Sequence, residues 1–174
     1  MEEIIDLYDK HMQKLNKSWV RGRTLPENSF RYVIHICILN SKEEMLIQQR
    51  AKAKRFFSSS WDITVGGGVI FGDTPQQSAS RELKEELGFD YDFSNDRPVL
   101  TIHHFEGFDD YFILHTDLNI EDLILEESEV AAVKWANKND ILEMLKKQEF
   151  LPYKKSIIEL LFDLSKQNGA FESL

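Results

Sequence analysis

Three glutamates crowd one short stretch near the middle of the chain. In Arg81-Glu82-Leu83-Lys84-Glu85-Glu86 the acids fall at i, i+3 and i+4. On a helix that spacing gathers the three carboxylates on one face. Like charges so placed repel and mildly destabilise a bare helix. One reading is a solvated acidic face, which is the ordinary one for an isolated acidic triplet. The other is a cluster of hard oxygen ligands for Mg2+ or Mn2+, whose charge relieves the repulsion. The preceding residues favour the second. Gly66-Gly67-Gly68 ends a short strand a few residues before the helix begins. Glycines let backbone approach a metal or phosphate closely and adopt torsions closed to other residues, although a sharp turn is the default explanation of such a run.

The element that carries the triplet is well marked. Thr74 is a candidate N-cap, Pro75 suits the first helical position, and Gln77 falls where a capping box needs it. The helix spans about residues 75–87, and Gly88 is a natural stop. Its aliphatic stripe, Ala79, Leu83 and Leu87, should face the core.

Around this helix the pattern predicts a mixed set of elements. Residues 1–30 read as a polar, irregular extension with a short helix over Glu2–Lys14. Residues 31–39 are apolar and β-branched, a buried strand. A turn at Asn40–Glu43 returns the chain through Met45–Gln49. Lys52–Ser60 is a basic, serine-rich loop, and Trp61–Val65 a short strand. Val99–Phe105 and Tyr111–Asp117 pair about Gly107, and Val130–Trp135 is a further strand. Asn139 caps a helix to Lys147, Pro152 breaks it, and a last helix runs from about Lys154 to Gln167. Strict β-α-β alternation is missing, which argues for a mixed sheet packed by helices and against a doubly wound parallel sheet.

The segment from Gly67 to Phe89 resembles the Nudix box, G-x5-E-x7-R-E-U-x-E-E-x-G-U with U apolar. It matches at Gly67, Arg81, Glu82, Leu83, Glu85, Glu86, Gly88 and Phe89, and departs at Asp73, where the family has Glu. The resemblance implies an α+β fold, an α/β/α sandwich with a mixed sheet and C-terminal helices. It implies a hydrolase that cuts a diphosphate bond with a divalent ion, Mg2+ or Mn2+. Glu85 and Glu86 would be metal ligands, Glu82 a further ligand or the base, and the carbonyl of Gly66 or Gly67 part of the metal shell. Arg81 would orient the carboxylates through an ion pair with Asp73. The shorter Asp73 side chain should lengthen that contact, slowing turnover or shifting metal preference.

Beyond the box, Glu3–Asp9, Arg31 with His35, Gln49-Arg50 and Lys54 before Trp61-Asp62 are similar to the branch related to isopentenyl-diphosphate isomerase. That likeness implies that Arg50 and Lys54 hold the substrate's diphosphate. The alternative is a loop of solvated cations. It also implies a late metal ligand in Glu127-Ser128-Glu129-Val130, with Glu129 ahead of Glu127, against the alternative of an acidic loop end. The isomerase has Cys and His where this chain has Gly66 and Gly68, so isomerase activity is not expected. His35 reads as a satisfied core histidine. His103 and His104 point to opposite faces of one strand and cannot share a site. Trp61 and Trp135 read as core.

Composition bounds the rest. The chain has 174 residues, 42% apolar and 29% charged, which fits one globular domain with 1–30 as an extension and 137–174 as C-terminal helices. The formal charge of −9 argues against general nucleic-acid binding but leaves room for a small anionic substrate. The single cysteine, Cys37, sits in an apolar run, reads as buried, and suits a reducing cytoplasm. No leader or membrane span is expected, because residues 1–20 lack a continuous apolar stretch. A homodimer is common in the family and is the expected assembly. Two competing functions stay open: a catalytically silent nucleotide-sensing module, which the full carboxylate set argues against, and the isomerase.

Overall fold

In the computed structural model, residues 3–167 and 169–171 are described. The central element is β3 (Arg31–Leu39), nine residues whose even and odd members go to different cores. Ile34, Ile36 and Ile38 pack in one buried cluster with Ala79, Leu83 and Leu87. Cys37 and Leu39 pack in a second with Ile141, Ile158, Leu161 and Phe162. This alternation makes a sandwich from one strand sequence, because successive side chains leave a strand on opposite sides. One face of the sheet is covered by α1 (Pro75–Leu87), the other by α2 (Lys138–Lys146) and α3 (Lys155–Lys166). The fold is thus the expected α/β/α sandwich with two C-terminal helices.

The seven-stranded sheet is mixed. β3 pairs antiparallel with β6 (Val65–Gly68) and parallel with β8 (Gly107–His115), which forms a hairpin with β7 (Leu100–His104). β4 (Glu44–Arg50) pairs antiparallel with β5 (Trp61–Asp62) and β9 (Val130–Asn137). The two halves join where Leu39 faces Met45, the single register pair between β3 and β4. After that turn the strands part, and each takes other partners.

Several sequence expectations need correction. The N-terminal region is not irregular and holds no helix at 2–14. It forms a hairpin of β1 (Ile4–Tyr8) and β2 (Lys14–Val20), and Met1 and Glu2 lie outside the described residues. Tertiary pairing wins here: Ile5 bridges Ile70, Tyr8 bridges Phe30, and Leu7 is buried. The strand expected at Trp61–Val65 is two short strands that change partner from β4 to β3. Thr64 spans the break, its hydroxyl donating to the Leu46 carbonyl (2.5 Å) and accepting from the Ile38 N–H (2.9 Å). Asn137, not Asn139, caps α2, in a capping box with Asp140. Gly107 lies within β8, where a Cβ would sit 1.9 Å from the Arg31 carbonyl oxygen. Among the described residues no helix is long and apolar enough to cross a membrane.

Candidate functional site

α1 is built as its sequence reads. The Thr74 hydroxyl accepts from the Gln77 N–H, and the Gln77 side chain accepts from the Thr74 N–H, completing the capping box. Gly88 closes the helix at φ 65°, and its N–H donates to the Lys84 carbonyl. With Ala79, Leu83 and Leu87 fully buried, the helix's rotation about its axis is fixed. Arg81, Glu82, Glu85 and Glu86 then line one cavity of about 640 Å3 with Gly66, Gly67, Lys54 and Glu129.

The three glutamates occupy different environments. Glu85 is largely exposed, with 59% of its side-chain surface free. Glu86 is buried, and its carboxylate accepts from the Gln48 side chain (3.0 Å). Burial, reinforced by the nearby Glu82 charge, raises the Glu86 carboxyl from 4.5 to about 8. Glu82 lies under the glycine strand. Burial raises its carboxyl too, and the Arg81 charge opposes the rise.

The role of Gly67 is space, not torsion. Gly66, Gly67 and Gly68 lie in the extended strand β6, and the positive-φ glycines are elsewhere, at 22, 72, 88 and 169. The turn and the unusual torsions expected of this run are therefore absent. A Cβ on Gly67 would stand 2.2 Å from the Glu82 carboxyl carbon, so the strand passes where a side chain would collide with the glutamate.

Arg81 gathers the acids. One guanidinium nitrogen donates to Glu82 (3.0 Å) and Glu85 (2.9 Å). Its Nε reaches Asp73 at 3.4 Å, a direct but long contact, while Ser78 holds the same Asp73 oxygen at 2.9 Å. Lys54 pairs with Glu129 across the mouth of the cavity. Among the described residues no three Asp, Glu, His or Cys side chains converge on one point as a closed metal site. The cations of Arg81 and Lys54 supply the countercharge.

The structure separates Arg50 from Lys54. Lys54 lines the glutamate cavity, whereas Arg50 pairs with buried Asp62 (3.5 Å) and the Phe56 carbonyl in a second recess. His35 is not a satisfied core histidine. It lines that recess, stacks on Tyr111 at 4.5 Å, and leaves a buried Nδ1 without a hydrogen-bond partner. His103 is exposed while His104 turns toward Asp109, in keeping with opposite faces. Gln48, Arg21 and Glu3 were missed by sequence reasoning. Gln48 had a signal, an amide inside an otherwise buried strand; Arg21 had none, because its region was read as irregular, and Glu3 entered only within the Glu3–Asp9 likeness, with no role assigned to it.

The model for the NUDIX domain matches residues 29–161, most of the chain. The chain belongs to the Nudix family. An uncharacterised Nudix hydrolase of Listeria innocua is 36% identical over 159 residues, covering 91% of this chain and 93% of the relative. Another from Listeria monocytogenes is 37% identical over 148 residues, covering 85% and 88%. Among solved structures, a Deinococcus radiodurans protein superposes with a TM-score of 0.72 at 22% identity, covering 91% of this chain and 97% of that one. A Caenorhabditis elegans Ap4A hydrolase does so at 0.55 and 20%, covering 77% and 96%. These likenesses share the fold. Nudix hydrolases generally act on nucleoside-diphosphate-linked compounds and use divalent metal ions. The Nudix match begins at residue 29, after the β1–β2 hairpin.

Proposed function

We propose that this Nudix hydrolase cleaves a diphosphate bond in a small molecule, using Mg2+ or Mn2+ held by Glu82, Glu85 and Glu86 with Glu129 and the Gly66 carbonyl. One observation carries the reading: the buried Glu86 carboxylate and that of Glu82, whose side chain is only 12% exposed, lie near enough for the Glu82 charge to raise Glu86, and both open on a cavity lined by further carboxylate and carbonyl oxygens. Buried like charges are costly unless a cation offsets them, and hard carboxylate oxygens suit a hard divalent ion. The donor set therefore fits the metal, provided the Arg81–Glu85 and Lys54–Glu129 pairs open when it loads.

A bound divalent ion supplies Lewis acidity at the phosphoryl oxygens and lowers the pKa of water. The chain's residues supply the rest. Glu82, restrained by Arg81 and seated beneath Gly67, with its carboxyl raised by desolvation, takes the proton of the attacking water. Lys54, once released from Glu129, meets the diphosphate charge. Arg50 serves a more distant part of the substrate, because it stands in the second recess. Arg81 keeps Glu82 oriented, with Asp73 and Ser78 behind it. The likeness to the isomerase branch then extends to gripping a diphosphate, not to carbon chemistry. Gly66 and Gly68 bring no thiol or imidazole, and Cys37 is fully buried in the second core.

A panel of diphosphates tests this with the full chain. Expected is Mg2+-dependent hydrolysis of at least one member, abolished by Glu86→Gln. Ligand-induced stabilisation without turnover of any member would point to a sensor. Double-bond migration in isopentenyl diphosphate would point to the isomerase.

A further inference from the structure

Glu86 is held at two points. Its main-chain carbonyl accepts from the Glu126 N–H (3.0 Å), and the Leu87 carbonyl accepts from the Ile124 N–H (3.0 Å), so the segment leading to Glu127 and Glu129 caps the last turn of α1. These contacts fix the backbone of Glu86 and leave its side-chain torsions free. The second hold acts on those torsions. Gln48 Nε2 donates to Glu86 Oε2 at 3.0 Å. Among the described residues no hydrogen bond is made to Glu86 Oε1, and the residue lines the glutamate cavity.

We propose that Gln48 is a positioning residue for the divalent ion: its amide fixes one oxygen of Glu86, turns the other to the cavity, and leaves the carboxylate's charge for the cation. The inference rests on the reading of Glu86 as a metal ligand and adds to that site a support from outside the Nudix box.

An amide is a costly occupant of this position. Gln48 follows Met45, Leu46 and Ile47 in β4 and is itself only 3% exposed. Its Oε1 is buried and meets no donor among the described residues, a penalty that Met or Leu of similar size would avoid. The Nε2 end is the part that is used. Its lack of charge matters as much as its N–H groups. Lys or Arg at this position would grip Glu86 as an ion pair, and that pair would compete with a divalent ion for the same carboxylate. An amide donates without neutralising. The other acids of the cavity show the contrast. Arg81 pairs with Glu82 and Glu85, and Lys54 pairs with Glu129. Glu86 has no cationic partner among the described residues and is held by an amide instead. It is therefore the carboxylate from which no ion pair must be removed before a cation loads.

Metal binding tests this apart from turnover. Gln48→Met keeps the volume and removes the donor. Calorimetric titration with Mn2+ should show affinity about tenfold weaker than wild type, the scale on which partners behind a metal ligand act. The Mn2+ concentration for half-maximal hydrolysis should rise by the same factor, while kcat at saturating Mn2+ stays within about threefold. A merely structural role would lower the melting temperature and leave the affinity of the folded protein unchanged. Gln48→Lys keeps a donor but adds charge, and should weaken Mn2+ binding about a hundredfold. Gln48→Asn, an amide one methylene short, should fall between wild type and Gln48→Met, and carries the test if the Met variant does not fold. Mn2+ affinity equal to wild type in folded Gln48→Met or Gln48→Asn overturns the proposal and leaves Glu86 a ligand. Affinity equal to wild type in Gln48→Lys overturns it too, since the amide's neutrality would then be irrelevant. Wild type that binds no Mn2+ removes the diphosphatase reading and this inference with it.

Discussion

Replacing Glu86 by Gln should stabilise the metal-free protein above neutral pH while abolishing its activity. Glu86 is buried beside Glu82, and its carboxyl rises from 4.5 to about 8. Between those values the folded state binds a proton that the unfolded state has released. Stability tied to this group is therefore complete below about pH 4.5 and is lost as pH rises toward about 8. At ~1.4 kcal/mol per pH unit the ceiling on that loss is about 5 kcal/mol. Water entering the open cavity and local relaxation reduce it to about 1–3 kcal/mol. For a chain of this size that is a shift in Tm of roughly 3–10 °C. Gln keeps the shape and the contact with Gln48 but has no charge to bury. Thermal melts in EDTA from pH 5 to 9 should show wild type falling relative to Glu86→Gln. A saturating divalent ion should restore wild type at high pH and leave the variant nearly unmoved. Parallel pH profiles for the two proteins would refute the argument, since they would mean that Glu86 bears no penalty for its charge and has no need of a cation.

Other substitutions probe separate parts of the site. Gly67→Ala should fold, because β6 is extended there, but its Cβ must push Glu82 aside, and turnover should drop about a hundredfold in steady-state assays. Asp6→Asn should lower stability by about 1–3 kcal/mol in chemical denaturation. It weakens a buried acceptor of Lys14 Nζ (2.6 Å) and the Gly72 N–H (3.0 Å), the ties that hold the hairpin on the loop before α1. Asp73→Glu restores the family residue and should shorten the 3.4 Å reach to Arg81, raising kcat about two- to tenfold with Mg2+; an unchanged kcat would show that Ser78 already positions Asp73 well enough. Thr74→Ala removes one half of the capping box and should cost about 1 kcal/mol in thermal or denaturant unfolding, with the Nudix helix fraying from its first turn.

What the sequence reveals about this protein follows from the range of the forces involved. α1 is legible to the residue because its signals are local: the cap at Thr74, the stop at Gly88 and the Ala79–Leu83–Leu87 stripe act within a few turns. β3 is legible because seven of its nine residues are apolar and leave no alternative, although the division of its side chains between two cores needs the helices on both faces. The N-terminal hairpin is not legible, since its strands are stabilised by distant partners. Asp6 in Ile4-Ile5-Asp6-Leu7-Tyr8 looks like a polar interruption until Lys14 and Gly72 are seen around it. The same holds at the site. Spacing places Glu82, Glu85 and Glu86 on one helix face, but it cannot say that Glu86 is buried and Glu85 exposed, because β4, through Gln48, decides that. Nor can it say that Arg50 and Lys54, four residues apart, serve different cavities. That separation has a functional consequence. A single phosphate clamp would hold only the bond to be cut, whereas cations on both sides of a bare glycine edge can hold the diphosphate and the group attached to it. In the proposed diphosphatase the Nudix box would supply the cutting machinery, and residues outside it, Arg21 of the N-terminal hairpin among them, would select what is presented to it.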